Sequence, residues 1–262
     1  MLMTEVCSGK MQTAGEKVML KVLYEDRHIL VAVKPAGIES QQSRRFEPDM
    51  VSTIKNYLQL STKLSTSVST AKEPYVGVIH RLDKPVRGVM VYAKTKKAAA
   101  SLSAQVQNGK MRKVYRAVVC GKPVDIVGKY VDYLLRDGKN GCSLVVDKTV
   151  SGSQRAELSY RVLEEREQSG DVFCPATALV EIDLVTGRFH QIRVQFAAHG
   201  MPLWGDRKYN PLFLQGGQLG KCREPLALCA VRLSFLHPET GKEMEFSIEP
   251  EGGAFERFER KN

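Results

Sequence analysis

The 262-residue sequence has no run of apolar residues near the roughly 20 that a membrane-spanning helix requires. Residues 1–17 lack the apolar core of a secretory signal. Its six cysteines, Cys7, Cys120, Cys142, Cys174, Cys222 and Cys229, form no C-x-x-C pair, and the Cys222/Cys229 spacing has no matching Cys or His pair elsewhere. A zinc site is therefore not expected, and scattered thiols suit a reducing cytosol. There is no internal repeat, so solenoids and propellers are excluded. Acid is in short supply: 29 Asp and Glu stand against 39 Lys and Arg, a formal charge of +10. A soluble, cytoplasmic protein with no membrane partner is the expectation.

What is present is an ordinary globular balance, 43% hydrophobic and 26% charged, enough to bury a core without disulfides or metal. The basic residues recur along the chain, at Arg44-Arg45, Lys94–Lys97, Lys110–Lys113 and Arg207-Lys208. Such a surplus favours an anionic partner, of which nucleic acid is the commonest, although a solvated basic surface gives the same count.

Periodicity predicts a strand at 18–24, a partner at 29–33, and a short helix capped by Asp49 with Met50, Ile54 and Leu58 inside. Residues 61–72, rich in Ser and Thr, read as a surface loop. A loop at 80–87 leads into a strand at 88–93. A helix capped by Thr95 follows, with Ala99, Leu102 and Val106 inward and Asn108-Gly109 at its end. Strands are predicted at 114–119, 155–163 and 179–185. A helix over 188–199 should bury Phe189, Ile192 and Phe196 and present Arg188, Gln191, Gln195 and His199; the tail reads as a hairpin over 226–248. Many strands and few helices without regular alternation indicate an α+β fold on a largely antiparallel sheet. The expected division is a tail at 1–17, a catalytic domain at 18–250 and a tail at 251–262. No spare apolar element is evident, so a monomer is expected.

Two polar segments interrupt the apolar pattern. In His80-Arg81-Leu82-Asp83 a carboxylate sits in a loop just before a buried strand, either as a turn former or as a rigidly held reactive group. Thr186-Gly-Arg188-Phe-His190-Gln191-Ile-Arg193 places two arginines, a histidine and a glutamine at a helix start, where amides and dipole meet anions. A merely polar helix face is the alternative. His199 reads as a partner of the helix C-terminus, Trp204 as a packing anchor, and Asp206 as a turn former.

Taken together these segments resemble the RluA-type pseudouridine synthases. His80–Asp83 with Gly88 is similar to their catalytic loop, 18–37 ending Val33-Lys34-Pro35-Ala36-Gly37 to their opening hairpin, and Lys113-Val-Tyr115-Arg-Ala117 to their K-x-Y-x-A strand. Thr186–Arg193 with Gly200, Gly205-Asp206 and Tyr209 resembles the closing motif. The resemblance implies a pseudouridine synthase fold, a mostly antiparallel mixed sheet flanked by helices and loops with a cleft across it. It also implies isomerisation of uridine in structured ribosomal or transfer RNA without cofactor or metal. By the same resemblance Asp83 is the catalytic aspartate, and Arg81 fills the stack left by the flipped uridine. Tyr115 packs on the base and moves a proton, and Arg193 pairs with the Asp83 carboxylate. His80, Lys113, Arg188, His190 and Gln191 are the expected substrate-binding residues.

Two departures stand out. Val86-Arg87 replaces a Thr-Ser common before the glycine of that loop, and Leu228-Cys229-Ala230 lacks a histidine often found there. With only about 17 residues before the first strand, target selection is expected from the catalytic region itself, including the loop at 41–49 with Arg44 and Arg45. The competing readings are a non-catalytic RNA-binding protein on this fold and a hydrolase using Asp83 and His190. The latter explains neither the charge nor Lys113 and Tyr115.

Overall fold

A computed structural model describes residues 20–41, 47–65, 73–167, 175–221 and 224–258. The expected N-terminal tail, Arg44 and Arg45 lie outside them. The chain divides into two compact units. The first holds the described residues up to Met111 together with Leu233–Ser247. The second holds Arg112–Arg232 and the described residues from Ile248 on.

In the first unit β1 (Lys21–Glu25) and β2 (Ile29–Lys34) form an antiparallel hairpin. Asp26 closes the turn by accepting from the amides of His28 (2.7 Å) and Ile29 (2.8 Å). All six residues of β2 are buried. That is what a continuous apolar run predicts for a strand covered on both faces. Helix α1 (Met50–Ser65), β3 (Gly77–Val78), β4 (Arg87–Ala93) and α2 (Lys96–Gln107) complete this stretch, with β4 antiparallel to both β2 and β3.

Asp49 caps α1 as expected, accepting from Ser52 N at 3.0 Å, and Met50, Ile54 and Leu58 are buried. The helix runs on to Ser65, however, where a loop was expected from 61. The first-turn cap and apolar stripe outweigh the weak helix preference of Ser and Thr. Thr95 caps α2 by accepting from Ala98 N at 3.1 Å. Its buried stripe is Ala98, Leu102 and Gln105, not Ala99 and Val106, which are half-buried. Gln105 is buried because its amide completes two backbone bonds to Leu236, both 2.8 Å.

The second unit carries β5 (Arg112–Cys120), β6 (Val127–Asp137), β7 (Cys142–Val146), β8 (Gln154–Arg166), β9 (Thr177–Leu184) and α3 (Gln191–Ala198). The strands lie in the order β5-β9-β8-β6-β7, each pair antiparallel. The β6–β7 hairpin was not foreseen, since its alternation is broken by charges on both faces. One sheet face carries Tyr115, Ile182, Tyr160, Leu158, Tyr130 and Leu134 in register, and α3 lies on it. Phe196 meets Tyr130 and Tyr160 at 5.3 and 5.5 Å between ring centroids. On the other face of β5, Val114 and Val118 pack with Trp204, Phe213, Phe255 and Phe258. Trp204 is a packing anchor. The segment expected to be a C-terminal tail contributes a buried 3₁₀ turn at Gly253–Phe258.

Strands β10 (Leu228–Leu236) and β11 (Glu243–Ser247) pair as the tail hairpin, and β10 crosses the division between the units. The fold is α+β and mostly antiparallel. No helix among the described residues is long and apolar enough to cross a membrane.

The Asp49 cap gives a direct stability test. Asp49→Ala should destabilise the protein by about 1–2 kcal/mol through loss of the first-turn acceptor, measured by urea unfolding. An unchanged midpoint would show that the cap does not hold α1.

Candidate active site

The first unit holds Asp83 on a loop fixed on both sides of it. The backbone of Leu82 is bonded twice to the buried Ser40 hydroxyl, which donates to Leu82 O (2.8 Å) and accepts from Leu82 N (3.0 Å). On the other side, Lys84 O accepts from Gly37 N (2.8 Å) and from the Lys34 ammonium (3.1 Å). Val86 N donates to Asp83 O at 2.9 Å, closing the turn. Gly37, at φ 86, adopts the left-handed backbone that lets the Pro35–Gly37 turn bring its amide there. Leu82 is buried, Asp83 half-buried and Arg81 exposed, so the chain is anchored while the polar side chains face out.

Lys34 is the unexpected member of this group. It is fully buried, and its three ammonium protons go to Pro35 O (2.9 Å), Ile38 O (2.7 Å) and Lys84 O (3.1 Å). Burial pushes its pKa down to about 7, opposed by the carboxylates of Glu39 and Asp83. His80 accepts from Val91 N through Nε2 at 3.3 Å, which joins the loop to β4. Lys84 is ion-paired with Glu47.

In the second unit strand alternation puts Lys113 and Tyr115 on the α3 face of β5, with Tyr115 opposite Ile182. Tyr115 is 6% exposed. Lys113 is half-buried, and burial lowers its pKa.

The segment 186–190 is a braced loop rather than the first turn of a helix. Thr186 Oγ1 accepts from Glu157 N (2.8 Å) and donates to Gln191 Oε1 (2.7 Å). Gln191 Oε1 also accepts from Arg188 N (3.0 Å), while its Nε2 donates to Glu157 O (3.1 Å). Gln191 is therefore a brace and 3% exposed. The helix begins at 191 because His190 takes φ 54, ψ 22, a left-handed conformation. No other non-glycine residue among those described has positive φ. Residues 191–196 are all buried, so of the polar stripe expected on this helix Gln191 and Gln195 face inward, while Arg188 and His199 are exposed. Gln195 and His199 both reach Asp132, and His199 also stacks on Tyr130 at 3.9 Å.

Arg193 is held by an unforeseen partner. Its Nε and Nη2 donate to the two Asp206 oxygens, both at 2.8 Å, and the pair is almost fully buried. Asp206 Oδ1 also accepts from the amides of Lys208 (2.8 Å) and Tyr209 (3.2 Å). Asp206 thus makes its turn, as expected, and clamps Arg193 as well. Gly205, at φ 74, allows this: a Cβ there would stand 2.1 Å from Pro225 O.

The Arg193 guanidinium lies 5.2 Å from the Tyr209 ring centroid. The Tyr209 hydroxyl accepts from Ser143 N (2.7 Å) and lies within hydrogen-bond distance, 2.8 Å, of Nδ1 of His190. Burial and the Arg193 charge push the His190 pKa down to about 3, so it stays neutral near pH 7. So weakly basic an imidazole is a poor proton acceptor, which argues against the hydrolase reading. Arg188 is exposed and donates through Nε to Arg155 O at 3.1 Å. No group of three or more His, Cys, Asp or Glu side chains is placed to hold a metal among the described residues.

The sequence profile of the RNA pseudouridylate synthase family matches residues 28–198. The chain belongs to that family. It is 35% identical over 237 residues to the ribosomal large subunit pseudouridine synthase D of Neisseria meningitidis serogroup A, covering 88% of this chain and 58% of the relative. It is 30% identical over 244 residues to the enzyme of that name from Zymomonas mobilis, covering 89% of this chain and 70% of the relative. Among solved structures it shares the fold of human RNA pseudouridylate synthase domain containing 4, with TM-score 0.65, 23% identity, and 87% of this chain and 88% of that chain covered. Human domain containing 1 gives TM-score 0.66 at 20% identity, covering 91% and 86%.

Within the family frame, a positioning role was not expected from sequence for Ser40, Lys34 or Asp206. Lys34 had a visible signal, a lysine closing an otherwise apolar strand. Ser40 had none, because its partners lie 42 residues away in sequence.

Two outcomes test these clamps. Lys34→Met should deprive three carbonyls of their shared donor and destabilise the protein by ~3 kcal/mol or more. Its folded-state pKa, about 7, lies below the ordinary 10.5, so the unfolded chain holds the extra proton between those values. Wild-type stability should therefore rise relative to Lys34→Met from about pH 7 towards 10.5 and show no such gain below 7. Parallel pH curves in urea unfolding would refute this. Asp206→Asn removes a buried carboxylate charge from the Arg193 guanidinium and should destabilise by about 3–5 kcal/mol. A wild-type melting temperature would rule out the clamp.

Proposed function

We propose that this protein is an RNA pseudouridine synthase that isomerises particular uridines in ribosomal or transfer RNA. The observation that carries the reading is the Asp83 loop, fixed at Leu82 and at Lys84 with Asp83 itself half-buried between them, in a chain of this family. The names of the relatives, ribosomal large subunit pseudouridine synthases, favour ribosomal RNA.

In the proposed reaction the bond between uracil N1 and the sugar C1′ breaks, the base turns, and C5 bonds to C1′. C5 then releases its hydrogen and N1 gains a proton, so atoms balance without redox change or added group. Asp83 acts as nucleophile at the sugar or as the base that deprotonates it while the uracil departs. Tyr115 offers a ring for the base and a phenol to relay the C5 proton. Arg193 supplies the positive charge that favours the ionised aspartate, held ready by Asp206. A stacked uridine is out of reach, so the nucleotide is flipped out, and the planar Arg81 guanidinium takes its place. His80 ties the loop to β4, while Lys113 and Arg188 meet the RNA backbone.

Tritium release from RNA labelled at uridine C5, drawn from a strain lacking the gene, is the test. Asp83→Asn should lower the rate by roughly three orders of magnitude or more while RNA binding persists. Equal rates for variant and wild type would refute the role of Asp83. Binding without release by wild type would instead favour a non-catalytic RNA-binding protein on this fold.

A further inference from the structure

The cations of the second unit are distributed unevenly between the two faces of its sheet. On the face away from α3 each one is neutralised. Arg112 pairs with Asp183, Arg116 with Glu181 and Glu249, Arg161 with Glu181, and Lys129 and Arg155 with Glu157. On the α3 side and at the adjoining hairpin tip this pattern stops. Lys113, Arg136, Lys139, Arg188 and Lys208 have no acid partner among the described residues. Asp137, the acid nearest the tip, turns its oxygens to the amides of Lys139 and Asn140 and to the Asn140 side chain.

Four of these cations are held along one arc, and Lys139 lies at the hairpin tip where it ends. The Lys113 ammonium lies 3.5 Å from where a Cβ on Gly187 would stand, beside Arg188. The Arg136 guanidinium stacks on Phe189, 4.6 Å from its centroid, and Phe189 in turn stacks on His190 at 3.8 Å. Ser143 ties the same hairpin down, its hydroxyl donating to Phe189 O at 2.6 Å and its amide to Tyr209 Oη at 2.7 Å. Lys208 Nζ donates to Asn140 O at the tip at 3.4 Å. A stacked guanidinium keeps its in-plane donors for an anion, and burial of Lys113 is relieved by a bound negative charge. Like charges gathered without counter-ions are costly unless an external polyanion supplies them.

We propose that the β6–β7 hairpin is an RNA-docking element, and that the Lys113–Arg188–Arg136–Lys208–Lys139 arc carries the phosphates of the strand flanking the target nucleotide. The inference rests on the pseudouridine synthase reading for the identity of the polyanion. It adds where the substrate is gripped: the hairpin selects RNAs whose flanking backbone follows its curve.

The test measures binding of the full chain to an unmodified ribosomal RNA transcript across a salt series, with tritium release on the same RNA. Arg136→Gln/Lys139→Gln/Lys208→Gln should lower the slope of log K against log salt by about 2 and weaken binding about tenfold or more. Lys139→Gln/Lys208→Gln, which leaves the Phe189 stack intact, should show a smaller fall of the same kind and guards against misfolding. Lys129→Gln/Arg161→Gln, on the neutralised face, should bind as wild type does. Wild-type slope and affinity in both arc variants would overturn the inference while leaving the activity reading intact, provided tritium is released. An equal loss in the Lys129/Arg161 variant would also overturn it, since diffuse charge would then suffice. No release and no RNA binding by wild type would sink the activity reading itself.

Discussion

The buried ion pair between Arg193 and Asp206 governs the arrangement of the second unit. A pair removed from water in this way is a weak source of net stability, because desolvation offsets most of the attraction. What it provides is position. Two parallel hydrogen bonds leave the guanidinium one orientation, and the same carboxylate fixes the amides of residues 208 and 209. Tyr209 is thereby set against Arg193, His190 against Tyr209, and the β6–β7 hairpin against both through Ser143. One carboxylate thus determines where a cation, an imidazole and a hairpin stand.

The first unit solves a similar problem with a different device. The loop that carries Asp83 is gripped through its neighbours' backbone. Ser40 takes both polar groups of Leu82, and Lys34 uses a full charge to bind three carbonyls. A lysine buried for this purpose is kept charged only against a desolvation penalty. Carbonyl acceptors and two nearby carboxylates offset that penalty in part. In both units a buried charge fixes the geometry of the segments around it.

His190 belongs with these devices. Its left-handed backbone is unfavourable for a residue with a Cβ and persists because Tyr209 and the packed helix start over-determine it. The kink delays α3 until residue 191, which turns Arg188 outward and Arg193 inward. A helix starting at 188 would have rotated all of these side chains together.

The sequence by itself determined the elements whose signals are local. The apolar run of β2, the Asp49 and Thr95 caps, the alternation of β5 and β9 and the Asn108-Gly109 ending depend on neighbours a few residues apart. Period and capping chemistry can be read along a chain. The polar residues gathered around Asp83 and Arg193 were also visible, because charges amid apolar elements stand out. Only the tertiary structure decided their partners. Arg193 meets Asp206 13 residues on, Ser40 meets Leu82 42 residues on, and Ser143 meets Tyr209 66 residues on. It also made Gln191 a brace, ran α1 past its expected end and packed the C-terminal segment. Hydrogen bonds between distant residues leave no periodic trace, since either partner looks the same in sequence whether paired or solvated. Which face of a helix is polar can be read from order alone; whether that face meets water cannot.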